Sequence, residues 1–402
     1  MISPGSGANR PRTNSARTSR PLRILHVCRR YQPFVGGTEK YVHDLALAQL
    51  QAGHKVTIFT LDRDVMGPRR GLPRQETLDG LEVVRVTGRG SAKLAVTYRP
   101  DCLVRAIRGH DVVHFHDLRF ALTTGVLGAS LARRPSLFHT HGLIFHSGSA
   151  SKWKRFAIRF YFGPLLRLGR VECVASSEAD RALLLRDAPY LDARTATCPN
   201  AIPLSPLSSI ARTPVPGRVV SIGRIVANKS LSNLIRALAR IDDVDWSLVL
   251  AGQPDPTELS RIEAEIDNLG LRDRVTFVLD FAEDALRPLL ASAALAAFPS
   301  KGEGFGISLL EAMAAGVPVV ANRIPAHEAL LGEELADRLV DFESPEGASV
   351  AIRNVLEANE SEIDALSERL RSRAADYDIA RLKNQIDELY ERLGVRSHAG
   401  HR

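Results

Sequence analysis

The chain has 402 residues, of which 45% are hydrophobic and 25% charged. That balance excludes a largely disordered protein and suffices for two to three domains of about 100–200 residues each. No apolar run approaches the ~18 residues of a transmembrane helix. The four cysteines (Cys28, Cys102, Cys173, Cys198) are widely spaced and form no CxxC pair. A disulfide scaffold or zinc site is therefore not expected, and reduced, buried thiols of a cytosolic protein are. The net charge of +7 is unevenly distributed: residues 1–205 hold 31 lysines and arginines against 15 acids, and the remainder 22 against 31. A basic first half suits an anionic surface or a phosphate-bearing ligand.

Residues 1–21 carry four arginines and no acid, and they lack the apolar stretch of a signal peptide. They read as a disordered basic tail. From Leu22 short apolar runs alternate with helical patterns. LRILHVC is followed by a Gly-Gly turn and a helix over 39–52, then by KVTIFT, LEVVRV, DVVHFH, SLFHTH and VECVAS, with helices such as 120–133 and 178–187 between most of them. Residues 199–217 break the rhythm with five prolines and several serines, a linker composition. Beyond it RVVSIGR, WSLVLAG, RVTFVLD, ALAAFPS and VPVVAN restart the pattern, with helices near 230–241, 257–269 and 306–315. Apolar strands alternating with helices predict two doubly wound α/β domains in tandem, with ligands at the carboxyl ends of the strands. The boundaries are 22–202, a linker at 203–217, 218–376, and a C-terminal helix in 377–402 that crosses back to the first domain.

Four loops after strands could carry chemistry. Gly36-Gly37 opens a helix, where glycines admit a phosphate to backbone amides, although a tight turn would look the same and the GxGxxG of a dinucleotide site is missing. Gly223-Arg224 ends a strand and Lys229 precedes a helix, a pair of cations suited to a diphosphate. In FPSKGEGFGISLLEAMAAGVPVVAN, Glu303 and Glu311 flank a glycine-rich turn that feeds a helix, so two carboxylates could accept hydroxyl protons beside free amides. His114, His116, His139, His141 and His146 form the fourth group. Without HExxH spacing, and with alternation separating His114/His116 from His139/His141, they read as mainly structural, with His141 before Gly142 the candidate for a catalytic contact.

Together GG-x-E, HG after a strand, PNAIP, GR-x4-K and E-x7-E closed by AMAAGVPVVA resemble the retaining glycosyltransferases of family 4, over nearly all of residues 22–390. The segment HGLIFHSGSASKWKR is similar to bacterial exopolysaccharide mannosyltransferases that act on polyprenyl-diphosphate-linked acceptors. The resemblance implies a GT-B fold, two Rossmann-like domains facing a central cleft. It implies that Arg224, Lys229, Gly306 and Ile307 hold the donor diphosphate, that Glu311 and Phe305 meet ribose and sugar, and that Glu303 and His141 act at the donor sugar. Gly36 and Gly37 would approach phosphate or acceptor. No metal or other cofactor is expected, only a nucleotide-sugar co-substrate, with GDP-mannose favoured over a UDP-sugar. Two departures stand out: Ser230 follows Lys229, and Ala201 follows Asn200, where the family often has glycine.

The DxD triplets Asp62-Arg63-Asp64 and Asp243-Val244-Asp245 read as incidental. Residues 152–170 are basic and aromatic, and Lys152, Trp153, Lys154, Arg155 and Arg159 are read as a contact with anionic membrane lipid, the alternative being a helix whose aromatic face packs on the sheet. The expected protein is thus a hexosyltransferase at the inner face of the membrane, acting on a lipid-diphosphate-linked or other glycan acceptor and not on nucleic acid. A UDP-sugar-dependent transferase, a sugar-nucleotide epimerase of the same fold and a non-catalytic nucleotide-sugar-binding protein are the competing readings.

Overall fold

A computed structural model describes residues 21–34, 36–63, 71–88, 99–118, 120–141, 151–279 and 285–395. Among them the strands form two sheets. The first contains β1 (Arg23–Val27), β2 (Lys55–Leu61), β3 (Gln75–Leu78), β4 (Leu81–Val86), β5 (Val112–Phe115), β6 (Ser136–His139), β7 (Glu172–Ala175) and β8 (Thr195–Thr197), in the order β3-β4-β2-β1-β5-β6-β7-β8. The second contains β9 (Arg218–Ile222), β10 (Ser247–Ala251), β11 (Val275–Val278), β12 (Leu295–Phe298), β13 (Val319–Asn322) and β14 (Leu339–Val340), in the order β11-β10-β9-β12-β13-β14. In each sheet the strand order reverses beside the first strand, which opens a crevice at the carboxyl ends. Central strands such as β5 and β12 are buried at every residue, as parallel strands covered on both faces must be.

One pairing departs from the all-parallel expectation. β3 runs antiparallel to β4 through Asp79 and Gly80, both at positive φ (51° and 82°). Asp-Gly is the dipeptide that a two-residue hairpin with two left-handed positions prefers. β8 and β14 are also additions to the strands read from sequence; at three and two residues they are too short to show periodicity.

The segment between the domains contains a short helix, Ser205–Ser208, and does not stand alone. Ile202 N–H donates to the Tyr377 carbonyl (3.1 Å) and Ile379 N–H to that of Ile202 (3.0 Å), so the chain's two passages between domains run side by side. The helix Glu360–Ala374, opened by a capping box of Asn359 and Glu362, packs Leu366, Leu370 and Ala374 into the second domain's core with Leu309 and Met313. The helix Ile379–Arg392 then packs on the first domain: Ile379, Leu382, Ile386, Leu389 and Tyr390, at helical spacing, share a core with Ile24, Tyr41, Leu45 and Ala46. Replacing fully buried Ile386 by alanine is expected to cost about 2–5 kcal/mol. A thermal melt reads this, and an unchanged Tm would mean that the helix contributes no packing there.

Candidate active site

The second domain's half of the site starts where β9 ends. Gly223 and Gly252 both lie at positive φ (144° and 149°), and a Cβ on Gly252 would stand 2.0 Å from the Gly223 carbonyl oxygen. The two post-strand loops can touch only because glycine occupies both positions. Arg224 leaves this contact exposed. Lys229 closes a short 3-10 turn, Ala227–Lys229, ahead of the helix Leu231–Leu238. Its ammonium returns over Gly223, 3.2 Å from where a Cβ would be, and forms a salt bridge with Glu303.

Glu303 lies in the loop after β12 and also accepts from Ser300 Oγ at 2.7 Å. Burial alone would raise its pKa, but the Lys229 ammonium and the hydrogen bonds from Lys229 and Ser300 draw it below the ordinary carboxylate value, so it stays ionised. Gly306, at φ 97°, is the N-cap of the helix Ile307–Ala314, which has no side-chain cap. Its first-turn N–H groups are therefore left for an anion, and Ser308 Oγ approaches the same point over Gly223 to 4.0 Å. His327 lines the far side of Gly306. Its Nδ1 donates to the Asn322 carbonyl (2.9 Å), which leaves Nε2 an acceptor, and burial lowers its pKa. Phe305 packs against Tyr377, ring centroids 5.7 Å apart.

The first domain meets this half at three points. Gly37, at the start of the helix Gly37–Gln51, faces Ile307 Cδ1 at 3.5 Å from its Cβ position, and Gly304 faces the His141 carbonyl oxygen at 3.9 Å. Buried Glu311 faces Lys40 Nζ at 3.9 Å. Gly36 looks elsewhere: the Glu39 carboxylate takes the space beside it, and burial raises that carboxyl's pKa despite Arg30 and Arg29 nearby. Lys229, Glu303, Phe305, Gly306, Ile307, Glu311, Gly37 and His141 thus line one cleft. Arg224 begins at the same strand end, and Gly36 borders it.

The two histidine pairs are not separate. β1, β5 and β6 are neighbours, and His26 of β1 is in register with His114, so His26, His114, His116, His139 and His141 make one cluster. Gln49 Oε1 lies 2.7 Å from His26 Nε2, His26 Nδ1 lies 2.8 Å from His116 Nε2, and His116 Nδ1 lies 2.9 Å from His141 Nε2. His139 stacks on His141 at 4.2 Å. Burial holds His26 down at about 4, His141 at about 3, and His114, His116 and His139 well below 6.5. Among the described residues His26, His114 and His116 are the group that could offer three metal ligands, but two of those nitrogens already share a hydrogen bond. His146, which belongs to the same sequence group, lies outside the described residues.

The DxD triplets have structural partners. Asp62 accepts from Thr87 and Arg63, while Asp243 and Asp245 pair with Arg353 and Arg274; Asp64 is outside the described residues. Cys28, Cys173 and Cys198 are buried free thiols and Cys102 is partly buried. Sequence reasoning missed Lys40, Ser300 and His327 as cleft residues, and His26, Gln49 and Asn200 around His141. A histidine in each of three neighbouring strands was the available signal for His26; the others carry none without the fold.

The basic aromatic stretch forms the helix Ser151–Ala157, a π-helical turn Ile158–Phe162 and the helix Gly163–Leu168. Trp153, Phe156, Phe160, Tyr161 and Leu168 are more than half exposed, so the aromatic side is not packed on the sheet. Thr123, bonded to Tyr161, begins a face of the neighbouring helix that continues to exposed Leu127 and Leu131. Lys152 is exposed and Arg159 lies over the Phe160 ring. Arg155 is instead tied to buried Asp187 at 3.1 Å, and nothing is described of the Lys154 side chain. No helix among the described residues is long and apolar enough to cross a membrane.

Two facing Rossmann-like domains, with an uncapped helix end and a paired Lys–Glu in the cleft between them, have the architecture of a GT-B glycosyltransferase. Residues 35–205 match Glycosyltransferase Family 4 and residues 213–376 match Glycosyl transferases group 1; the chain belongs to these glycosyltransferases and is a hexosyltransferase. It is 28% identical over 382 residues to the GDP-mannose:cellobiosyl-diphosphopolyprenol alpha-mannosyltransferase of Xanthomonas oryzae, covering 93% of this chain and 98% of that one. The Komagataeibacter xylinus protein of the same name is 28% identical over 92% of this chain and 93% of its own. HepE of Anabaena, solved with UDP and glucose, shares the fold at a TM-score of 0.71 and 19% identity, over 92% of this chain and all of that one.

The neutral histidine cluster has a consequence for acid stability. An unfolded histidine takes a proton near 6.5, whereas folded His26 waits until about 4. The unfolded state therefore binds more protons between those values, and stability, complete above about pH 6.5, falls with pH through that window. His26 alone accounts for about 3 kcal/mol by its lower end. Melts between pH 7 and 5 should show a declining Tm; a flat profile would mean that the rings accept protons in place.

Proposed function

We propose that this enzyme transfers mannose, with retention, from GDP-mannose to a lipid-diphosphate-linked oligosaccharide during cell-surface polysaccharide synthesis at the cytoplasmic face of the membrane. The observation that carries the donor site is the convergence of Lys229, Glu303 and the uncapped Gly306 helix end at the mouth of β9. The names of the full-length relatives support the choice of donor and acceptor.

The reaction passes through an oxocarbenium-like state as the nucleoside diphosphate leaves the anomeric carbon. Negative charge grows on the departing phosphate, and Lys229, Arg224 and the N–H groups from Ile307 onward stabilise it more than the ground state. These fixed charges supply what a metal would otherwise supply, so the reading needs none. Glu303, ionised, accepts hydroxyl protons of the donor sugar, and its pairing with Lys229 preorganises both groups. Glu311 takes the ribose hydroxyls, Phe305 lines the sugar, and His141 contacts the sugar from the other domain. Gly37 lets the first domain's helix end come close to phosphate or acceptor, with Gly36 beside it.

The test is product formation from GDP-mannose and from UDP-glucose, each with a diphospholipid-linked disaccharide. GDP-mannose should be used in preference. Glu303→Ala should lower kcat by about 10²–10³-fold in a protein that still melts cooperatively; full activity in that variant would remove the site assignment.

The exposed Trp153–Leu168 aromatic surface, inside a strongly basic first domain, supports contact with an anionic bilayer where a lipid-linked acceptor resides. The protein should sediment with anionic vesicles at low salt and less with neutral ones, and a Trp153→Ser, Phe160→Ser variant should stay in the supernatant. Wild-type protein that remains wholly in the supernatant would overturn the membrane reading.

A further inference from the structure

The histidine cluster contains a file of groups with a direction. Each buried imidazole is neutral and has one N–H. Imidazoles joined nitrogen to nitrogen must therefore all donate the same way, and the groups at the ends decide which. Gln49 presents its carbonyl Oε1 to His26 Nε2 (2.7 Å), and a carbonyl only accepts. His26 is then the Nε2–H tautomer, its Nδ1 accepts from His116 Nε2–H (2.8 Å), and His116 Nδ1 accepts from His141 Nε2–H (2.9 Å). Gln49 Nε2 donates to the Tyr390 hydroxyl (3.3 Å), which also lies 3.2 Å from His114 Nδ1.

At the cleft end His141 is left with a bare Nδ1 lone pair, and Nδ1 has no hydrogen-bond partner among the described residues. Asn200 lies beside His141, and its Oδ1 is also without a partner there. The low pKa values of His26 and His141 keep both rings neutral at physiological pH.

We propose that Gln49, acting through His26 and His116, is a positioning residue that fixes His141 as its Nε2–H tautomer, so that Nδ1 accepts a hydrogen bond from a hydroxyl of the donor sugar. The last clause rests on the assignment of His141 to that sugar. A donor with the hydroxyl is then selected over its deoxy analogue, because only the hydroxyl satisfies the lone pair.

Nitrogen-15 spectra of histidine-labelled protein, with His141 assigned through His141→Asn, distinguish the two tautomers without substrate. Wild type should show His141 as Nε2–H. Gln49→Met, which removes the acceptor, should populate the Nδ1–H form and lower kcat about 3–10-fold, with donor KM changed less. Tyr41→Phe is the control: its hydroxyl meets His139 Nδ1 (3.1 Å), outside the file, so His141 and kcat should be unchanged. His141 found as Nδ1–H in wild type, or unchanged in Gln49→Met whatever its Tm, overturns the relay. A tautomer switch with unaltered kcat upholds the relay and overturns the assignment of His141 to the donor sugar.

Discussion

A lysine and a glutamate from loops 74 residues apart are held together at the end of a strand, and the chemistry proposed for the cleft depends on that pair. Separately, a partly buried carboxylate would tend toward its neutral form and a flexible ammonium would stay in water. Together, with Ser300 completing the carboxylate's hydrogen bonds, both stay charged beside a helix end whose N–H groups no side chain satisfies. The glycines at 223 and 252 let the β9 and β10 loops close around this point, and no side chain at either position could do so.

The same cleft needs the first domain at a fixed distance. Lys40 facing Glu311 and Gly37 facing Ile307 place the two helix starts opposite each other. The return of the C-terminal helix onto the first domain, with Ile202 and Ile379 bonded as the chain passes, supports this arrangement from behind. Tyr390 on that helix reaches the Gln49 amide, so the element that joins the domains also touches the file of histidines leading to His141. Packing and site chemistry are linked there by a single hydroxyl.

Much of this was legible beforehand. Strand–helix alternation follows from period-2 and period-3.6 burial, and the helix at 178–187 appears at those bounds because Ser177 caps it, its hydroxyl accepting from Asp180 N–H. β3 escaped notice because an edge strand of Gln, Glu and Thr lacks an apolar signature, although Asp79-Gly80 announced the hairpin. Glu303, Arg224 and Lys229 could be named because each follows a strand in a glycine-bearing loop, and Glu311 because it sits on the helix that such a loop feeds. Their pairing could not, since nothing local says that Lys229 turns toward Glu303 and Glu311 toward Lys40. Arg155 shows the opposite case: its surroundings in sequence suggest lipid, and buried Asp187 claims it.

By itself the sequence determined which segments bury both faces, where the chain leaves a sheet, and which charged groups sit at those exits, because these are properties of short stretches and their periodicity. Tertiary structure alone decided partners. Strand order brought His26, His114, His116, His139 and His141 together and turned what reads as two pairs into one cluster, with a hydrogen-bonded file of His26, His116 and His141 through it. Hydrogen bonds and ion pairs between residues far apart in the chain depend on register and distance, and those exist only once the sheets have formed.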